Sequence, residues 1–368
     1  MFDIQKLLGF GCMRLPMKGD EVDTDEFSRM VDAFLENGFN YFDTAHGYIG
    51  GRSEKALKVS LTSRYPRERY LLANKLSGNY FNSYEEIFPL IESQFEACGV
   101  DYFDFYLMHG LDRSFFEHFK KCRAYDAGLE LLKQGKIRHF GMSFHDNAEV
   151  LDQILTEFPK VEFVQLQFNY VDFEDAAVQS RACYEVCRKH GKPVIVMEPV
   201  KGGRLVDIPE TAQRVFDELH GGSNASYAIR FAAGFEGIAV VLSGMGSMEM
   251  MNDNISYMKD FQPLSEREMA AVRTVSGIIR EQEVVPCTAC RYCVDQCPMH
   301  IAIPDLFACY NSKKTFHDEV AQYYYDNVHT VGNGKASDCI RCGACEQICP
   351  QHLEIRDLLV DVATEFES

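Results

Sequence analysis

Residues 124–143 read AYDAGLELLKQGKIRHFGMS. The first half carries apolar residues at helical spacing through Gln134, Gly135 stands where a helix stops, and His139–Ser143 reads as a short buried strand. The same unit recurs in both directions. Strands are expected at Leu7–Cys12, Tyr41–Thr44, Tyr70–Lys75, Phe105–Met108, His139–Ser143, Phe163–Leu166, Val194–Glu198 and Ile238–Leu242. Helical patterns lie between them, at Asp25–Asn37, Glu54–Ser63, Tyr84–Cys98, Ala124–Gln134, Ala148–Phe158 and Ala176–His190, and Gly38, Gly99, Gly135 and Gly191 follow four of them. Strands alternating with helices imply a parallel sheet, and eight is the number that closes it into an α/β (β/α)₈ TIM barrel. A doubly wound open sheet is the alternative, weakened because no G-x-G-x-x-G follows the first strand.

A barrel takes about 250 residues, and the chain has 368. The expected division is a barrel over 1–262, a helical bridge over 263–284 and a small C-terminal domain over 285–368. Ser265 followed by Glu268 is a capping-box pattern for a bridge helix over Ser265–Glu283. With 46% hydrophobic and 25% charged residues the chain is globular. Its net charge of −18 argues against a nucleic-acid or anionic-membrane partner, since both attract basic patches. No apolar run approaches a membrane span and no leader pattern precedes MFDIQKLLGFG, so a cytoplasmic location with reduced cysteines is expected.

Eight of the 14 cysteines fall into two runs, Cys287-x-x-Cys290-x-x-Cys293-x-x-x-Cys297-Pro298 and Cys339-x-x-Cys342-x-x-Cys345-x-x-x-Cys349-Pro350. A Cys₄ zinc site is the competing reading. Each run alone holds four thiols, at a spacing too short for a pair of zinc knuckles. The spacing resembles that of bacterial two-cluster ferredoxins, in which the fourth cysteine of each run binds the other cluster. The resemblance implies two [4Fe–4S] cubanes, one on Cys287, Cys290, Cys293 and Cys349, the other on Cys339, Cys342, Cys345 and Cys297. The other six cysteines read as core thiols, with Cys12 a candidate lining residue of a cofactor pocket.

The run Phe42-Asp43-Thr44-Ala45-x-x-Tyr48, followed by Gly51-x-Ser53-Glu54, resembles the aldo/keto reductase signature. Lys75 ends the third expected strand and His109 follows the fourth. Barrel active sites sit at such C-terminal strand ends. The resemblance implies reduction of a small carbonyl or related substrate, with Tyr48 as general acid. Lys75 is expected to lower the Tyr48 pKa, Asp43 to hold Lys75, and His109 to orient the substrate oxygen. It further implies an NAD(P) site: Ser143 and Gln165 on the nicotinamide carboxamide, Lys201-Gly202-Gly203 along the pyrophosphate, and Ser247 and Asn254 near the adenosine half.

Three departures bear on the cofactor. Met197 replaces an aromatic that stacks on nicotinamide, Phe144 replaces an Asn, and Gly244, Met245 and Met250 stand where cations meet a 2′-phosphate. These leave NAD, NADP and flavin open. Met197 and Gly244 are expected among the cofactor-binding positions, with packing the alternative for Met197 as for Met13, His145 is expected to be a substrate or cofactor contact, and Arg204 a solvated surface residue. Hydride chemistry moves two electrons and a cubane moves one. Three readings follow: a nicotinamide-dependent reductase; a single-electron reductase fed by its clusters through a flavin or directly; and an electron carrier or redox sensor with a non-catalytic barrel. A redox partner protein belongs with each. Residues after 262 are expected to help close the active site.

Overall fold

The computed structural model describes residues 2–281, 284–285, 287, 289, 291–349 and 351–367. Eight strands, β1 (Leu8–Gly11), β2 (Tyr41–Asp43), β3 (Leu71–Ser77), β4 (Phe103–Leu111), β5 (Ile137–Phe144), β6 (Val164–Gln167), β7 (Val194–Met197) and β8 (Ile238–Ser243), form a closed barrel. Each pairs in parallel with its sequence neighbours, and β1 pairs with β8 to close the ring. The expected strands are all present, each within two or three residues of its expected ends.

The helices form the outer ring: α1 (Thr24–Glu36), α2 (Arg52–Leu57), α3 (Tyr84–Cys98), α4 (Arg113–Lys121), α5 (Ala124–Lys133), α6 (Ala148–Glu157), α7 (Ser180–Lys189), α8 (Glu210–Asp217), α9 (Asn224–Ala233) and α10 (Met248–Met258). The opening unit shows how sequence becomes packing. Gly128 lies inside α5 because a Cβ there would come within 2.2 Å of the Phe140 ring on β5. Gly135 takes φ +71° just past the helix, where other residues are strained. Two-residue periodicity then divides each strand. Tyr41, Leu71, Ala73, Phe105, Leu107, Phe163, Ile195, Val240 and Leu242 form one buried cluster inside the ring, plugged at the base by Phe2. The opposite parity packs beneath the helices.

Helix α11 (Glu266–Arg280) begins with the expected capping box, Ser265 and Glu268 bonding each other's backbone. It lies along the barrel, with Ser276 Oγ donating to the Tyr170 carbonyl at 3.0 Å. Glu283, the expected end of this helix, lies outside the described residues. The C-terminal domain is helical: α12 (Tyr292–Asp295), α13 (Ile303–Phe316), α14 (Val320–Tyr324), α15 (Ala344–Ile348) and α16 (Ile355–Phe366). Its core includes Leu306, Phe307, Tyr325, Leu359 and Val362, and joins Ala177 and Val178 of the barrel. No described helix is long and apolar enough to cross a membrane.

Candidate functional site

Chemistry begins two residues above the apolar filling of the ring. Tyr41 is followed at the same parity by Asp43, Ala73 by Lys75 and Ser77, and Leu107 by His109. Likewise Gly141 leads to Ser143 and His145, Phe163 to Gln165 and Gln167, Ile195 to Met197, and Leu242 to Gly244. These strand ends ring a cleft of about 1650 Å³, part of it open to solvent. Asp43, Tyr48, His109, Ser143, His145, Gln165, Met197 and Gly244 all line it.

The four residues of the proposed tetrad meet there. The Lys75 ammonium is completely buried, pairs with Asp43 and donates to the Thr44 carbonyl at 2.7 Å. Its Nζ lies 4.7 Å from the centre of the Tyr48 ring, and the Tyr48 and His109 rings meet edge-on at 6.0 Å. Gln165 Nε2 donates to the second Asp43 oxygen at 3.2 Å. Burial opposes the Lys75 charge, but Asp43 and Tyr48 outweigh it and hold the pKa above the ordinary value. Tyr48 goes the other way from expectation. Desolvation pushes its phenol above the ordinary value near 10; the pull of Lys75 is smaller, and Asp43 and Glu198 add to the rise. The phenol therefore keeps its proton. Burial, then Lys75 and His145, hold the His109 imidazole well below 6.5, so it is neutral. Burial lowers His145 to about 4.

The second half of the signature is scaffold. Ser53 Oγ donates to the Cys12 carbonyl and bonds Thr44 Oγ1, both at 2.7 Å. Glu54 accepts from Asn74 Nδ2 at 2.8 Å. These bonds anchor the turn Tyr48–Gly51, in which Ile49, a β-branched residue, takes φ +53°. The Cys12 thiol is buried beneath this turn and does not line the cleft.

The expected cofactor positions divide. Ser143 Oγ accepts from the Gly110 backbone at 2.7 Å and stands in the cleft with Gln165. Lys201 is turned away: its buried ammonium pairs with Asp172 at 2.7 Å and Asp318 at 3.2 Å, because burying a cation demands carboxylates. Gly202 and Gly203 lie outside the cleft lining, and the Gly202 N–H bonds Glu198. Ser247 caps α10 at Met250, and Asn254 Nδ2 donates to Ser243 Oγ at 2.6 Å. Neither lines the cleft. Met245 and Phe144 are buried, and Met250 is exposed. Met13, expected to be a packing residue, and Met197 both line the cleft. Arg204, expected to be solvated, donates to the His317 carbonyl at 2.9 Å.

Several lining residues went unnoticed in the sequence. Ser77 bonds His109 Nδ1 at 2.6 Å, so it sets which ring nitrogen carries the proton. Glu198, with φ +55°, faces Arg14 at 3.7 Å, and both line the cleft. The parity of β3 places Ser77 on the inward face, and Glu198 ends the expected seventh strand; these are the signals that could have found them. The C-terminal domain contributes Glu319, Val320 and Tyr323 to the same lining, as expected for residues after 262. The Tyr323 hydroxyl donates to Asp112 at 2.8 Å, and its ring meets His145 at 5.6 Å.

The cysteine runs interleave. Cys287, Cys293 and Cys349 line one cavity of about 330 Å³. Cys339, Cys342, Cys345 and Cys297 line another of about 310 Å³. Cys290 lies outside the described residues. The fourth thiol of each run thus faces the other run's cavity, the arrangement a pair of cubanes uses. Among the described residues no three His, Cys, Asp or Glu side chains converge as a single metal ion requires. Thiol walls around cluster-sized spaces fit two [4Fe–4S] groups.

Comparison with known proteins agrees with this architecture. Residues 7–276 match the model of the aldo/keto reductase family, and residues 286–353 match a 4Fe-4S dicluster domain. The NADH-specific methylglyoxal reductase of Escherichia coli is 26% identical over 53% of this chain and 62% of its own length. L-galactose dehydrogenase of Arabidopsis thaliana is 25% identical over 70% of this chain and 85% of its own. An aldo-keto reductase from Klebsiella pneumoniae, solved with NADPH, superposes with a TM-score of 0.60 at 18% identity, covering 74% of this chain and 95% of that one. The chain belongs to the aldo/keto reductase family: it is an oxidoreductase built on a (β/α)₈ barrel, with a 4Fe-4S dicluster domain at its C-terminal end.

Proposed function

We propose that the barrel reduces a small carbonyl substrate, with Tyr48 as the proton donor and NADH as the hydride source. The carrying observation is the convergence of Tyr48, Lys75, Asp43 and His109 in one cleft. The substrate carbonyl lies between Tyr48 and His109. The neutral His109 donates to its oxygen through Nε2–H when Nδ1 accepts from the Ser77 hydroxyl. When bound, the nicotinamide supplies hydride to the carbonyl carbon. Negative charge then builds on the oxygen, and the Tyr48 hydroxyl transfers its proton there. The phenolate left behind is stabilised by the adjacent Lys75 cation, which Asp43 keeps in place. A donor that is protonated at rest and stabilised only after transfer favours the transition state over the ground state.

The dinucleotide reading is supported by Ser143 and Gln165 at the cleft and by the relatives whose names carry NADH or NADPH. The preference for NADH rests on α10. Its Met248 N–H already donates to the Glu26 carboxylate at 3.1 Å, and Ser247 occupies the Met250 N–H. A carboxylate at that helix start repels a 2′-phosphate, and no cation replaces it at Gly244, Met245 or Met250. Anaerobic assays with small aldehydes and ketones test this. NADH consumption that depends on the carbonyl compound and exceeds that of NADPH is expected; consumption of neither nucleotide contradicts the reading.

One observation favours a second reading, in which single electrons reach the cleft. His145, Tyr324 and His329 follow one another with ring centres 6.3 and 5.9 Å apart. His329 faces Asp305 and Arg291, and Arg291 lines the first cysteine cavity. The electrons then pass to a bound flavin or directly to substrate. A flavin absorbance band in protein purified without oxygen decides for the flavin form.

A further inference from the structure

The second cysteine cavity reaches the surface. Cys342 is exposed, and Ile340, on the same wall, is 61% exposed. A groove lined by Ala336, Arg341, Val360 and Ala363 runs beside it, and Cys339, Arg356 and Leu359 line both groove and cavity. The floor of the groove is therefore the outer wall of the cavity. Val360, on α16, is 53% exposed there. Large apolar side chains held in water beside a redox centre are a feature of contact surfaces.

Charge also sets this face apart. The chain carries −18 overall, yet at the groove Arg341 pairs with Asp357 at 2.6 Å and Arg356 with Glu346 at 2.7 Å. Glu367, at one end, accepts from the Ser337 backbone at 3.1 Å. With two arginines against three carboxylates the groove carries little net charge, so an acidic protein meets less repulsion here than the chain's net charge imposes elsewhere. Ile303 lines both cavities, so the two adjoin, and Arg291 on the wall of the first interacts with His329.

We propose that this groove is the docking surface of a one-electron carrier protein of the ferredoxin class, which reduces the cubane held by Cys339, Cys342, Cys345 and Cys297. The inference rests on the reading that these thiols hold a cubane. One electron leaves the reduced carrier and one enters the cubane, which passes from its 2+ to its 1+ level; no bond forms or breaks.

Anaerobic stopped-flow mixing of the holoprotein with reduced plant-type [2Fe–2S] ferredoxin tests it, read from the cubane absorbance. Val360→Asp is expected to lower the second-order rate constant about tenfold. Reduction by dithionite, which needs no docking, stays unchanged, as do iron, sulfide and the EPR spectrum. Val360 lies on a helix without cysteines, so its variant separates docking from damage to the cluster. Equal ferredoxin rates in native protein and Val360→Asp overturn the proposal. So does a native dimer that Val360→Asp dissociates, which assigns the groove to a second copy. Native protein lacking iron and sulfide overturns the cluster reading itself, a failure distinct from unchanged rates in a loaded protein.

Discussion

Tyr48 and His109 share the cleft as partly buried side chains, and desolvation acts on them in opposite directions with one result. It raises the phenol and lowers the imidazole, so both are neutral through the ordinary pH range. His145 behaves as His109 does, and this links to stability. Its pKa falls from 6.5 unfolded to about 4 folded. Between those values the unfolded chain binds more protons, so stability is complete above pH 6.5 and is lost as pH falls toward 4. Urea titrations of native protein and His145→Phe across that window are expected to show a shallower loss in the variant; parallel losses contradict the assignment. The tetrad was legible because each member stands in a recognisable motif or at an expected strand end. Ser77, Arg14 and Glu198 were not. Only Ser77 follows from strand parity; Arg14 and Glu198 lie just beyond their strands, and the partners of all three, His109 and each other, come from distant strands and loops.

Among the elements, the strands were readable as short apolar runs because closed parallel barrels bury both faces. The short hairpin Met17–Lys18 with Glu21–Val22, and helices α4, α8 and α9, none longer than ten residues, were not expected. The loop after β7 was misread for a different reason. A lysine beside two glycines resembles a phosphate cradle, but Asp172 and Asp318 come from other parts of the chain and capture the ammonium. This contact also ties the barrel to the segment before α14. Lys201→Ala leaves those carboxylates buried without a cation and is expected to cost about 3–5 kcal/mol in chemical denaturation. A variant of native stability with weakened NADH binding restores the pyrophosphate role.

For the whole molecule, the C-terminal domain is more than an appended module. Tyr323 on Asp112, Lys201 on Asp318 and Arg204 on the His317 carbonyl hold it against the mouth of the barrel. Its own core is small and includes the cluster thiols Cys293 and Cys345, so metal binding contributes directly to its folding. Anaerobic iron chelation is expected to expose residues 285–367 to limited proteolysis while the barrel stays resistant. Equal resistance before and after chelation contradicts that dependence. The cysteine spacing made the two runs legible from sequence, and their interleaving followed from the ferredoxin resemblance. Which residues of the domain reach the barrel mouth was not legible, because it depends on how the domain docks. The most direct test of the central claim is single-turnover reduction of a carbonyl by bound NADH in Tyr48→Phe. The account predicts unchanged NADH affinity and a chemical step slowed about 10²–10⁴-fold; a chemical step as fast as that of the native protein contradicts it.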